Sequence, residues 1–70
     1  METVHVALPS DENYIVGLTA TAGSMAYHAS RDVVLSIHVL DGGIHDDTFD
    51  AFAKKIHRLH PHVEFSRIKV

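Results

Sequence analysis

The residues best suited to chemistry lie in one short run, Pro9-Ser10-Asp11-Glu12-Asn13-Tyr14, directly after a β-branched segment. In an open parallel sheet, ligands bind at the carboxyl ends of strands. A dinucleotide site would carry G-x-G-x-x-G at this point, so that backbone amides could approach a pyrophosphate. This chain has no such run, and Asp11 and Glu12 would repel phosphate from the helix N-terminus. Carboxylate and amide side chains suit instead the polar edge of a base or a ribose hydroxyl, and the Tyr14 ring offers a stacking surface. Ser10, Asp11 and Asn13 also make an ordinary helix cap, and spacing alone leaves both roles open.

The histidines are the other group with chemical potential. His57, His60 and His62 cluster at the end of a helical segment, with His57 and His60 three residues apart on one face. Such a group could take up zinc or nickel adventitiously, but no carboxylate or cysteine nearby completes a site. They read as surface histidines. His5 and His38 fall within strands and read as packed or hydrogen-bonded. The sequence has no G-x-S-x-G nucleophile elbow, and Lys54-Lys55 reads as a solvated helix end. On these grounds the chain is assigned no catalytic residue and no metal ligand.

The elements that must position the 9–14 run alternate. Val4 to Leu8 has the pattern of a short strand, ended by Pro9 and Ser10. A helix capped by Ser10, with Asp11 and Glu12 in its first turn, carries the stripe Ile15, Leu18, Ala22, Met25, Ala26, Ala29. Gly17 and Gly23 sit inside it, each at a cost of about 1 kcal/mol relative to Ala, which implies close packing there. Val33 to Leu40 is apolar at nearly every position, as in a parallel strand. Asp41, Gly42 and Gly43 break it. A second helix has Asp46 and Asp47 in its first turn, an apolar stripe of Phe49, Phe52, Ile56 and Leu59, and Pro61 beyond its end. Val63 to Val70 reads as a third strand whose alternation slips, which predicts a bulge or an early strand end. The order is βαβαβ, an α/β fold with a three-stranded parallel sheet and right-handed crossovers.

Size and composition bound the rest. Seventy residues make one small domain. A folded monomer of this mass exposes roughly 4,300 Å², so about 60% of the extended chain's surface is buried. Apolar burial on that scale contributes on the order of 100 kcal/mol, and ordering the chain costs about the same. With no cysteine, neither disulfides nor thiolate metal sites add to a thin core. The formal charge of −3 argues against a nucleic-acid partner. No apolar run approaches the roughly 20 residues of a membrane span, and the N-terminus lacks the basic and apolar regions of a secretory leader. These features favour a cytoplasmic protein.

The stretch VHVALPSDENYIVGL, followed by LSIHVLDGGI, resembles the start of glycosyltransferase family 8. That family includes bacterial lipopolysaccharide galactosyl- and glucosyltransferases and glycogenin. The matching positions are Asp11, Glu12, Asn13 and Tyr14 in a D-[DE]-N-Y turn, and His38, Val39, Leu40, Asp41, Gly43 and Ile44 in H-[VI]-L-D-x-G-[IL]. His45 departs from the Ser or Thr common in the family. The resemblance implies a Rossmann-like sheet of the GT-A type. It also implies that Asp11 and Asn13 bond the base or ribose of a UDP-sugar, that Tyr14 stacks on uracil, and that Pro9 offers backbone contacts. The HVLDGG segment would be structural.

The family's domain is several times longer than 70 residues. Its D-x-D motif, which holds manganese or magnesium on the diphosphate, has no counterpart here: the acidic pairs are Asp11-Glu12 and Asp46-Asp47. The resemblance therefore implies a truncated N-terminal, UDP-sugar-binding portion of a hexosyltransferase, itself inactive. The alternative is a small non-catalytic α/β interaction module. Both crossovers place the helices on one face of the sheet, that of Val33, Leu35, Ile37 and Val39. The face of Val34, Ser36, His38 and Leu40, level with His5 and Ala7, stays open, and the first strand is a bare edge. This predicts a homo-oligomer through that edge, that face, or both.

Overall fold

A computed structural model describes residues 2–70. It contains strand β1 (Glu2–Ser10), a 3₁₀ turn (Glu12–Tyr14), helix α1 (Ile15–His28), strand β2 (Val33–Asp41), helix α2 (Asp46–Leu59) and strand β3 (Val63–Lys69). The sheet is parallel throughout, in the order β1-β2-β3. The surface area is 4302 Å², the value expected for a folded chain of this mass.

Register follows from the apolar phase of each strand. Val4, Val6 and Leu8 stand beside Leu35, Ile37 and Val39, which stand beside Val63, Phe65 and Arg67. Of these, Leu35, Ile37, Val39 and Val63 meet Leu18, Ala22 and Ala26 of α1 and Phe52 and Ile56 of α2 in one buried cluster, with Val6, Leu8 and Phe65 packed against it. The small residues of α1 let the helix lie close to the sheet, whereas α2 fills its side of the core with Phe49 and Phe52 against Phe65 of β3, the three rings meeting at 5.3–6.0 Å. Both helices cover this one face. On the opposite face His5 and Ala7 are exposed and Val34, His38 and Leu40 are half-buried, in keeping with the crossover argument, while Ser36 between them is buried.

Four sequence expectations change. First, β1 runs on through Pro9 and Ser10 instead of ending before them. Pro9 is accommodated because β1 is an edge strand, with a neighbour on one side only. Second, the cap after β1 is Asp11, not Ser10. Asp11 Oδ1 accepts from Tyr14 N at 2.9 Å, while the Ser10 hydroxyl donates to Asp11 O at 3.0 Å. Ser10 is still paired with Asp41 in β1, so the first residue free to cap the turn is Asp11, and α1 proper begins only at Ile15.

Third, β3 has no bulge; its register is regular to Lys69. The alternation slips because Arg67 takes the inward phase. Its guanidinium lies 4.9 Å from the Phe49 ring centre and bonds Asp41 Oδ2 and Asp46 Oδ1, each at 2.6 Å. Ile68 is thereby turned to the open face. Fourth, His60 is not a surface histidine but fully buried. Its Nε2–H donates to Ser30 O at 3.0 Å and its Nδ1 accepts from His62 N at 3.1 Å, tying the end of α2 to the loop after α1. His57 shares a bond of 2.7 Å with Val63 O. The histidine cluster thus uses its ring nitrogens to hold the chain.

Candidate functional site

At the carboxyl ends of β1 and β2 the chain opens into a groove of about 800 Å³. Leu8, Pro9, Leu18, Leu40 and Val70 give it an apolar wall, Asp11 a charged edge, and Tyr14 an aromatic ring. Of the four residues singled out for nucleotide contact, the structure brings Pro9, Asp11 and Tyr14 together around this space. Asn13 is exposed on the same turn but does not line the groove.

Each wall residue is placed by local chemistry. Asp11 commits Oδ1 to the Tyr14 amide, and its second oxygen has no hydrogen-bond partner among the described residues. A carboxylate oxygen in that state accepts from a base N–H or a ribose hydroxyl. Tyr14 is 57% exposed and its ring packs against Gly17, where an added Cβ would stand 2.7 Å from Tyr14 Cζ. Gly17 thus makes room for the ring, which accounts for a glycine in the first turn of α1. Gly23 is the milder case: a Cβ there would meet Leu59 and Ile56 at ordinary contact distances.

The floor of the groove comes from the turn after β2. Asp41 ends that strand with its side chain fully buried. Its Oδ1 accepts from Gly43 N at 2.8 Å and Ile44 N at 2.7 Å, and its Oδ2 accepts from Arg67 Nε and faces Lys69 Nζ at 3.4 Å. Arg67 also bonds Ile44 O. The two backbone donors, followed by the guanidinium, hold the Asp41 carboxyl far below the usual carboxylate range. Gly43 adopts φ +128°, a conformation that glycine takes at no steric cost. This wound turn aims Gly42 N at Ser10 O, a bond of 2.8 Å that joins the ends of β1 and β2.

Sequence reasoning placed Glu12 in the D-E-N-Y run but missed its partners, His45 N and Thr48. Glu12 Oε1 accepts from His45 N at 3.0 Å and Oε2 from the Thr48 hydroxyl at 2.9 Å. The His45 amide, then Thr48, lower its pKa from the ordinary glutamate value. The only signal was His45 itself, a poor N-cap: its side chain makes no cap bond, and α2 borrows a carboxylate from the other turn. Nothing in the sequence pointed to Thr48.

His5 Nδ1 and His38 Nε2 share a hydrogen bond of 3.1 Å on the open face, with Ser36 Oγ 3.4 Å from His38 Nε2. Of the packed or hydrogen-bonded roles expected of both, this pairing is the hydrogen-bonded one. Among the described residues no three histidine, aspartate or glutamate side chains converge to hold a metal ion. The manganese or magnesium that the family resemblance implies therefore finds no fitting donor set in these residues. Among the described residues no helix is long and apolar enough to cross a membrane.

Comparison with known proteins gives two findings. No family model matches the chain, and no curated protein sequence matches it. Among solved structures, an active-site mutant of LgtC matches at TM-score 0.65 and 25% identity, over 94% of this chain and 23% of that one. The galactosyltransferase LgtC in complex with donor and acceptor sugar analogs matches at TM-score 0.65 and 22% identity with the same coverage. The chain thus spans about a quarter of the length of the proteins it matches. The resemblance to glycosyltransferase family 8 carried by the two sequence motifs holds in three dimensions, for over nearly all its length this chain has the fold of the family 8 galactosyltransferase LgtC.

Proposed function

We propose that this chain is the nucleoside-binding portion of a hexosyltransferase that uses a UDP-sugar donor. The observation that carries the reading is the groove at the strand ends, with an aromatic ring and an uncommitted carboxylate oxygen on one turn, in a chain folded like a galactosyltransferase. Tyr14 stacks on the uracil, Asp11 accepts from the base or ribose, and the Pro9 backbone lines the far side. Asn13 reaches the ribose edge from outside the groove. The cysteine-free composition supports a cytoplasmic location.

The chemistry of these residues stops at binding. They can hold a base and orient a ribose, but Arg67 and Lys69 are turned onto Asp41, and no donor set fits a divalent ion at a diphosphate. Metal bound by further residues would neutralise the departing UDP in a longer protein. Stacking and a few hydrogen bonds give only a few kcal/mol, so uridine binds at about millimolar Kd. An NMR titration with uridine and UDP tests this. Shifts at Asp11, Asn13 and Tyr14 are expected first; shifts centred on residues 57–62 overturn the assignment. The 70-residue chain with manganese and UDP-glucose or UDP-galactose should give no turnover, and measurable transfer would contradict the reading.

A second reading, a non-catalytic interaction module, draws on the open sheet face and the unpaired edge of β1. Parallel sheets are normally covered on both faces, and a nine-residue edge without lysine invites pairing. Self-association through either surface follows on both readings, so only the uridine titration separates them.

A further inference from the structure

The turn that carries Asp11 and Tyr14 is tied to the far side of the fold by the Glu12 side chain. Its two oxygens engage two groups at the start of α2, the His45 amide and the Thr48 hydroxyl, 33 and 36 residues away in sequence. The other bonds of the turn are local: Asp11 Oδ1 and Asp11 O both receive Tyr14 N, and the Ser10 hydroxyl donates to Asp11 O. Ser10 O is anchored by Gly42 N, but that bond lies before the turn and does not reach residues 12–14. The His45 imidazole lies 3.7 Å from Glu12 Oε2 and is largely exposed, so it adds to the contact only when protonated.

From this geometry we propose that Glu12 is a positioning residue for the nucleoside pocket: by clamping the 11–14 turn onto the first turn of α2, it sets where the Asp11 carboxylate and the Tyr14 ring stand. The inference rests on the nucleoside-binding reading above. It assigns the second acidic residue of the D-E-N-Y run to the frame, not to the ligand. The side chain points to α2, away from the groove, and both of its oxygens are occupied. The arrangement also serves α2, whose N-cap residue His45 has no side-chain cap of its own. One carboxylate therefore satisfies a helix terminus and fixes a binding turn together.

Three variants of the 70-residue chain test this: Glu12→Ala, Glu12→Gln and Thr48→Val. Glutamine keeps both contacts, since its carbonyl accepts from His45 N and its amide donates to Thr48 Oγ1. Two readouts are taken, amide hydrogen exchange of Tyr14 and His45 in the free protein, and uridine affinity by NMR. In Glu12→Ala both amides should exchange about ten-fold faster and uridine should bind about ten-fold more weakly, the scale of one charge-assisted hydrogen bond. Glu12→Gln should return both within about two-fold of the parent, and Thr48→Val should fall between. Wild-type exchange and affinity in Glu12→Ala overturn the proposal. So does a Glu12→Gln variant as impaired as Glu12→Ala, which would make the charge, and not the clamp, the active feature. If Glu12→Ala fails to fold, Glu12→Gln and Thr48→Val still decide, since the clamp predicts rescue by the first and partial loss in the second. If the parent chain does not bind uridine, the nucleoside reading fails, and the exchange data alone decide whether Glu12 holds the turn.

Discussion

Gly17→Ala separates the stability of this fold from its binding geometry. An alanine Cβ at position 17 would stand 2.7 Å from Tyr14 Cζ, 2.9 Å from Cε1 and 3.1 Å from Cε2. Those atoms belong to the far end of a side chain, so the ring swings away and the helix stays. Replacing glycine by alanine in a helix gains about 0.8–1.0 kcal/mol. Tyr14 is 57% exposed, so less than half of its surface is covered now. If about half of that covered part is the contact with Gly17, roughly 45 Å² is uncovered, at a cost of about 1 kcal/mol. The two effects cancel, and the melting temperature should stay within about 4 °C of the parent. Binding has no such compensation. Base stacking on an aromatic ring contributes about 1–3 kcal/mol, so displacing Tyr14 should weaken uridine binding at least about five-fold. Calorimetry and an NMR titration on one sample give both numbers. A Gly17→Ala chain that keeps full uridine affinity, or one that unfolds, refutes the claim that Gly17 exists to seat the Tyr14 ring.

Other outcomes follow from the same structure. Asp41 has its pKa depressed by two backbone donors and Arg67, so the stability it contributes is complete above the usual aspartate range and declines as pH falls below about 4. In Asp41→Asn an acid melt should lose that part of its slope; an unchanged acid limb would refute the assignment. His60→Ala empties a fully buried site and orphans Ser30 O and His62 N, a loss of about 2–4 kcal/mol by the cost of buried truncations, read by urea denaturation. His57→Ala, at an exposed position, should cost much less. Light scattering at tens of micromolar should show a dimer or larger species, and a well-folded monomer would refute the argument from the open face and the β1 edge.

What could be read from the sequence was whatever depended on period and on turn chemistry. The alternation of β1, the apolar run of β2 and the stripe of α2 predicted three strands, two helices and the face that takes them. Position in the groove was legible for Pro9, Asp11 and Tyr14 because a strand end in a parallel sheet places them there. What escaped was set by partners distant in sequence. Arg67 reads as a break in the β3 pattern only until Asp41 and Asp46 are seen to neutralise it. His60 reads as a surface residue until Ser30 O and the His62 amide satisfy its ring. Asn13 shares the turn of Asp11 and Tyr14, but the 3₁₀ winding of residues 12–14 carries it out of the groove. A polar side chain can be placed only when its partner is known, and apart from the His62 amide the partners of Arg67 and His60 lie 21 to 30 residues away.

The same logic explains why two short motifs, separated by a whole helix, appear together. Parallel pairing sets Ser10 beside Asp41, so the D-E-N-Y turn and the V-L-D-G-G turn leave the sheet side by side. From there each holds the other. Asp41 winds its own turn by accepting from Gly43 and Ile44, and the wound turn presents Gly42 N to Ser10 O. Glu12 reaches back the other way to His45 and Thr48. The first turn carries the groups that face the groove, and the second fixes where that turn can stand. A change at Asp41 or Gly43, neither of which lines the groove, should therefore impair nucleoside binding through the Gly42–Ser10 bond. In Gly43→Ala, the φ of +128° strains any side chain although the space around it is open, so the defect must come from the backbone. Loss of protection at the Gly42 amide, together with weaker uridine binding, is the expected pair of results. Weaker binding with the Gly42 amide still protected would break the link between the two motifs.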